Sequence, residues 1–338
     1  MSKGINVMSE IGRYLKENDA TSAMNQIMDI TRTLNFSEKR LFGEESRCNC
    51  KYSQLQVLQL LLLFPCFMIK NAFNYSTSSL CGIADCGKDV FYRFLSREDY
   101  DWRKILINIT TQLWHKTQAS TERDDKTPVC LMVDDTDYPK RGIQTEMIGK
   151  VFSHVEHKMI LGFKGLFLGI TDGATQMLMD FCLVGEKGKN GTYNLKQKQL
   201  DARFVKDRKK DSHTAMRVKE YDESKITLMI EMIKRLIARK IHFDYILADS
   251  WFACAEVFNF VTSRHIKCHY LGMIKMGKTK YHYNRKDYTA KALVAHFDHP
   301  KREHKYSRSL GCYYVTVDVE FAGRKVRLFF TKRNKKSD

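Results

Sequence analysis

Two short segments carry residue types that could do chemistry together. One is the run LMVDDTDY, with Asp134, Asp135 and Asp137; the other is YILADSWF, with Asp249. In each, an apolar stretch of strand character terminates in an acid. A carboxylate in such a place costs several kcal/mol if buried unpaired, so it must face water, a cation or a metal. Two such strands lying side by side in one sheet would bring two carboxylates together. Like charges at that range oppose each other unless a divalent cation neutralises them. Mg²⁺, for which Mn²⁺ can substitute, prefers one or two carboxylates plus phosphate oxygens and water. A pair of such ions activates a water and stabilises the leaving oxygen in phosphodiester cleavage. A single Asp at a strand end is usually only a turn cap. Two of them, on strands that can be neighbours and in a basic chain, favour the metal site, with Asp134 and Asp249 as its ligands.

The elements that must position these acids can be read from the hydrophobic pattern. Val129 to Val133 is a short apolar run suited to a buried strand. Lys164 to Ile170 and Gln176 to Val184 are two more strands, joined by TDGA, whose Asp172-Gly173 pair signals a hairpin. A long basic loop, Gly185 to Val218, follows. Ile226, Met229, Ile230, Ile233, Leu236 and Ile237 then mark an amphipathic helix. Tyr245 to Ala248 is a fourth strand, Trp251 to Val261 a helix and His269 to Ile274 a fifth strand. The order β-β-β-α-β-α-β, an antiparallel meander followed by α/β crossovers, is that of a ribonuclease-H-like mixed sheet. Tyr313 to Phe321 and Lys325 to Thr331 flank Ala322-Gly323 as a hairpin. They form part of a β-rich insertion expected at about 275–331.

Residues ahead of this core read as an all-α domain. Trp102, Ile105, Leu106, Ile109 and Leu113 share one helical face, and Ser53 can cap the Leu-rich segment after it. The aromatic and basic stretch GKDVFYRFL reads as a packing face, with a DNA-reading helix as the alternative. The polar run TQASTERDDKTP (117–128) breaks the pattern, giving a helical domain over 1–126 and a core over 127–338.

Composition narrows the partners. Of 338 residues, 57 are Lys or Arg and 39 are Asp or Glu, a formal net charge of +18. Such an excess sits most comfortably beside a polyanion, so nucleic acid is the first partner to consider. With 43% hydrophobic residues the chain can build a core, which excludes disorder as its main state. The longest apolar run, Leu60 to Ile69, has ten residues with Pro65 inside, against roughly 20 for a membrane span. The N-terminal MSKGINVMSEIGRYLKEN has no signal-peptide pattern. The ten cysteines lie mostly in apolar stretches and are expected to be reduced thiols; the C-x-C and C-x4-C spacings at Cys48, Cys50, Cys81 and Cys86 fit zinc poorly.

Taken together, the VDDT strand end, the hairpin GITDGATQMLMDF, the basic loop GEKGKNGTYNLKQKQLDARF, the helix feeding the fourth strand and the LADSWF motif resemble the DDE transposases of bacterial insertion sequences. The resemblance is to the large family with a ribonuclease-H-like core and a Y-R-E-K signature, and it covers roughly residues 50 to 335. It implies metal-dependent hydrolysis at the element's ends, followed by strand transfer into target DNA by the freed 3′-hydroxyl. It also implies double-stranded DNA as partner, a homodimer in the assembled complex and a cytoplasmic, nucleoid-associated location. By the family's D-x-T pattern the first catalytic acid maps to Asp134. Asp135 remains an alternative, because adjacent strand residues point to opposite faces. The second maps to Asp249.

The third acid is where the chain departs. The family carries it as a Glu within Y-x2-R-x3-E-x6-K, on a helix after the β-insertion. No Tyr from Tyr270 onward is followed three residues later by Arg. Glu303, Asp318 and Glu320 fall in a loop and a hairpin, Glu256 is a weak substitute, and Glu231 would suit an ordinary ribonuclease-H arrangement. The expectation is a transposase truncated before its third acid and inactive alone; the alternative is a catalytically incomplete DNA-binding fragment that regulates transposition.

The basic residues cluster. Arg264, Lys267, Lys275, Lys278, Lys280, Arg285 and Lys286 fall within 23 residues without an acid, interleaved with Tyr270, Tyr281 and Tyr283. Basic side chains hold phosphates without reading sequence, and aromatics stack on unpaired bases. In this family the β-insertion contacts transposon-end DNA, which favours this patch. A second cluster, Lys196, Lys198, Arg203, Lys206, Arg208, Lys209 and Lys210, is either a DNA contact or a solvated loop.

Overall fold

A computed structural model describes residues 20–120, 127–263, 266–298 and 305–334. The described residues divide into two compact units, one of 20–120 with 205–219, the other of 127–204 with those described between 220 and 334.

The first unit is helical. Helices α1 (Ala20–Thr33), α2 (Glu38–Phe42) and α3 (Gln54–Leu63) lead to two short 3₁₀ turns, Ala72–Thr77 and Ser79–Gly82. Helices α4 (Lys88–Leu95) and α5 (Trp102–Ser120) follow. Ser53 caps α3 as expected, its hydroxyl accepting from the Gln56 amide at 3.1 Å. GKDVFYRFL packs inward through Phe91 and Phe94, which join a core with Phe64, Tyr75 and Tyr100.

The second unit is built on a mixed sheet. Its strands are β1 (Cys130–Pro139), β2 (Gly149–Ser153), β3 (Lys158–Thr171) and β4 (Gln176–Val184). Helices α6 (Gln197–Asp201), α7 (His213–Glu220) and α8 (Lys225–Ala238) intervene before β5 (Tyr245–Ala248), α9 (Ala255–Val261) and β6 (His269–Gly272). Residues 205–219, which include most of α7, cluster with the helical unit. The sheet order is β2-β3-β1-β5-β6, with β4 also paired to β3. The first strands pair antiparallel; β1 with β5 and β5 with β6 pair parallel. This is the ribonuclease-H-like arrangement the element order implied. The Asp172 carboxylate closes the expected β3–β4 turn by accepting from the Thr175 amide at 2.7 Å, and Gly173 supplies the positive φ of 89°. Helix α8 packs on β3 and β4 and buries Leu228, Met229, Met232, Ile233 and Leu236.

Two sequence expectations change here. Strand β1 does not stop at the acids: it runs to Pro139, because its antiparallel ladder with β3 continues to Pro139↔Gly162. Lys164, almost fully buried, neutralises Asp137 within that ladder. Strand β2, absent from the expected order, adds to β3 through Gly149↔Gly162 to Ser153↔Lys158.

The β-rich segment forms its own sheet. Strands β7 (Lys280–Tyr283) and β8 (Lys286–Thr289) make a hairpin, α10 (Ala290–Phe297) follows, and β9 (Lys305–Ser307), β10 (Cys312–Phe321) and β11 (Arg324–Lys332) complete it. The order is β11-β10-β7-β8, with β9 on β10. Its core gathers Tyr281, Leu293, Phe297, Val317, Val319 and Leu328.

Candidate active site

The register between β1 and β5 decides how the acids meet. The parallel pairing runs Cys130↔Tyr245, Leu131↔Ile246, Met132↔Leu247 and Val133↔Ala248. The next residue on each chain is an aspartate, Asp134 on β1 and Asp249 just past β5. Neighbouring strands lie about 4.8 Å apart, so the two acids sit side by side where β5 ends and β1 continues. Paired residues share a face. Leu131 and Ile246 are fully buried on one face; Met132 and Leu247, on the other, line a cavity of about 990 Å³ together with Asp134 and Asp249.

Asp135 points the other way. Its carboxylate accepts from the Lys225 ammonium at the start of α8. The alternation of a strand thus separates the two adjacent acids, one toward the cavity and one toward the helix. Asp137, two residues on, is committed to Lys164. Burial raises the Asp137 carboxyl, but hydrogen bonds from Lys164 and Ser153 outweigh it and hold the group below its ordinary value.

Asp134 and Asp249 are held alike by backbone amides. The Asp135 amide donates to Asp134 Oδ1 at 2.8 Å, and the Trp251 amide donates to Asp249 Oδ1 at 2.9 Å. Among the described residues neither carboxylate has an ion-pair partner, and both are exposed. Two carboxylates with an oxygen each to spare, in a solvent-accessible cavity, suit a hard divalent cation that keeps part of its water. The rest of the wall is mainly apolar, with Leu271, Met273, Val315 and Phe329 among its residues. One polar exception is Tyr270: its hydroxyl is buried without a hydrogen-bond partner among the described residues, and burial together with the Asp249 charge pushes its pKa up.

A family model described as DDE superfamily endonuclease matches residues 77–286, 210 of the 338 residues. The chain belongs to the DDE superfamily endonucleases. The matched span contains Asp134 and Asp249 with all the strands that place them. No curated protein matches the chain. A DDE endonuclease acts on DNA with divalent metal ions, and the carboxylate pair is chemically suited to hold such an ion. No described helix is long and apolar enough to cross a membrane.

The acids considered as a third ligand are placed elsewhere or otherwise engaged. Glu231 pairs with Lys234 on the exposed side of α8, at 2.8 Å. Asp318 takes both arms of Arg327 on the β10–β11 hairpin. Glu320 lies on β10 opposite Lys325, and Glu256 is exposed in the first turn of α9. Glu303 lies outside the described residues. Among the described residues no group of three His, Cys, Asp or Glu side chains is placed to hold a metal ion.

The basic patch is split by the fold. Arg264 lies outside the described residues. Lys267 precedes β6, at the end of the parallel strands away from Asp249. Lys275 follows β6, at the same end as Asp249, next to the cavity-lining Ile274 and Met276. Lys278 leads into Lys280 at the start of β7, while Arg285 sits with Asn284 at the tip of the β7–β8 hairpin, at φ of 63° and 47°, and Lys286 opens β8 opposite Tyr283. The tyrosines are not free to stack on bases. Tyr281 is 4% exposed in the core of the second sheet, Tyr283 packs on Phe297, and Tyr270 packs on Phe258. The second cluster is divided too: Lys206 pairs with Glu98 in the helical unit at 2.8 Å, whereas Arg203 lies over the Tyr193 ring in the other unit.

One residue beside the site was given no role by the sequence pattern. Trp251 reads as the first turn of a helix, but the helix begins only at Ala255, and the indole stands 57% exposed. An aromatic two residues past a candidate catalytic acid is the only hint the sequence holds.

Proposed function

We propose that this chain is an insertion-sequence transposase of the Y-R-E-K type, with Asp134 and Asp249 as the metal ligands and Asp135 as a residue that fixes α8 through Lys225. The observation carrying the reading is the β1–β5 register, which sets two otherwise uncommitted carboxylates side by side on one cavity face. Their spare oxygens would hold Mg²⁺, or Mn²⁺ in its place. When bound, the cation supplies charge neutralisation at the scissile phosphate and an activated water. Lys275 lies at the same strand end and is suited to a DNA phosphate, as are Lys278 and Lys280. Element ends and target DNA are the substrates, and a homodimer is the working assembly.

A second reading rests on its own observation. No third acid joins the pair among the described residues, and the nearest acids in sequence, Asp135 and Asp137, are neutralised by lysines. On that reading the 338-residue chain binds DNA and a divalent cation but does not cut.

Mn²⁺ titration followed by electron paramagnetic resonance tests the shared site. Binding by the wild type that is lost in Asp134→Ala and in Asp249→Ala, but kept in Asp135→Asn, is expected. Binding insensitive to either alanine refutes the site. Nicking of supercoiled plasmid in the same buffer separates the readings: cleavage abolished by Asp134→Ala favours the transposase, and DNA binding without cleavage favours the incomplete fragment.

A further inference from the structure

The fold makes room for the hydroxyl of Tyr270 and gives it nothing to bond. The register Ile246↔Tyr270 puts this side chain on the sheet face that Ile246 occupies, where its ring packs on Phe258 of α9 with centroids 5.2 Å apart. The phenol then lies along β6 over Gly272, the last residue of the strand. A Cβ at that glycine would stand 2.5 Å from the Tyr270 oxygen and 2.7 Å from its ring, so only glycine leaves the phenol in this place. Gly272 pairs with Ala248, the residue before Asp249. The hydroxyl thus reaches the strand end where the cavity opens, and Tyr270 lines that cavity with Asp134 and Asp249. Its oxygen is buried, with no hydrogen-bond partner among the described residues. A buried hydroxyl left unpaired carries its full desolvation cost, and a phenylalanine would fill the same space without it. Burial, and after it the Asp249 charge, push the pKa of the phenol up, so the group stays a donor within the field of that carboxylate. Asp249 has the matching need: its Oδ1 takes the Trp251 amide, and its Oδ2 has no partner among the described residues.

We propose that Tyr270 is a positioning residue for Asp249: its hydroxyl donates to Asp249 Oδ2 when a divalent cation is bound, and so holds that carboxylate in one orientation. This rests on the reading of Asp249 as a metal ligand. A carboxylate oxygen accepts at more than one lone pair, so Oδ2 can take the phenol and the cation together. With Oδ1 held by the Trp251 amide, the second donor fixes a carboxylate that is otherwise exposed and free to turn. The unpaired hydroxyl weighs on the metal-free fold; cation binding relieves it, so part of the metal affinity comes from Tyr270 rather than from the ligands themselves. Loss of such a partner behind a metal ligand typically lowers metal affinity about 10- to 100-fold.

The test uses the full chain and Tyr270→Phe, which keeps the ring and removes only the hydroxyl. Mn²⁺ affinity followed by electron paramagnetic resonance should fall about 10- to 100-fold. The metal-free urea midpoint should stay at the wild-type value or rise, since the lost hydroxyl had no partner. Addition of Mg²⁺ should perturb the tyrosine ultraviolet band of the wild type, and Tyr270→Phe should lack that perturbation. Mn²⁺ affinity within about twofold of wild type in Tyr270→Phe, where Asp249→Ala abolishes binding, overturns the role of Tyr270 and leaves the metal site standing. A metal-free midpoint that falls in Tyr270→Phe overturns it as well, because the hydroxyl would then serve the fold and not the carboxylate. Mn²⁺ binding that survives Asp249→Ala overturns the proposed site and the role of Tyr270 with it.

Discussion

The split of the basic patch makes DNA affinity a position-dependent quantity. Each phosphate neutralised contributes about −0.9 to the slope of log affinity against log salt. Removing Lys275, Lys278 and Lys280 together should therefore flatten the slope by up to about 2.7. Between 50 and 200 mM salt, that corresponds to about 40-fold less loss of affinity than the wild type shows. Lys267 serves as the internal control. The register Tyr245↔His269 places it level with residue 243, six positions from Asp249 along the strand direction. At about 3.3 Å per residue that is about 20 Å, twice the Debye length of about 10 Å at 0.1 M salt. DNA that passes residues 275–280 and ends at Asp249 stops short of Lys267, so Lys267→Ala should leave the slope within about 0.3 of wild type. Anisotropy titrations at five salt concentrations give both slopes. An unchanged slope in the triple variant, or an equal change in Lys267→Ala, would refute the claim that DNA reaches the carboxylates past residues 275–280.

Two further outcomes test the scaffold beneath the site. Asp180 on β4 is fully buried and accepts from Arg235 Nε of α8 at 2.7 Å, so Arg235→Leu should cost about 3–5 kcal/mol in urea unfolding, and adding Asp180→Asn should recover part of it; a loss below about 1 kcal/mol would show that the pair does not hold α8 to the sheet. Asp137, held below its ordinary 3.8, contributes stability that is full above that value and is lost as pH falls through the lower folded value. The stability gap between wild type and Asp137→Asn should therefore be widest near neutrality and narrow below pH 3.8, as followed by circular dichroism; a gap constant with pH would show that the carboxylate's ionisation is not what Lys164 stabilises.

The elements that position the acids were legible because their signals are local. Strand β5 begins and ends at the residues its apolar run predicts, and the β10–β11 hairpin extends the expected Tyr313–Phe321 and Lys325–Thr331 by one residue at three of the four strand ends. The extension of β1 through Asp137 was not legible, because polar residues continue a strand only when a partner ladder and a buried lysine make room for them. The choice between Asp134 and Asp135 was open for the same kind of reason. Alternation shows that the two acids oppose each other, but only the partner on one side, Lys225 from a helix 90 residues away, shows which faces the cavity.

The tyrosines of the basic segment carry that argument furthest. KYHY reads as cations and aromatics mixed on one exposed loop, whereas as strand β7 it alternates exposed Lys280 and His282 with buried Tyr281. Alternation sends the charges to solvent and the ring to the core, so the stretch cannot present both to DNA at once. Trp251 is the contrast: it lies in a turn tied to Asp249, outside regular structure, where no ladder assigns its face. That turn breaks the helical spacing, which is why periodicity passes over it and geometry does not.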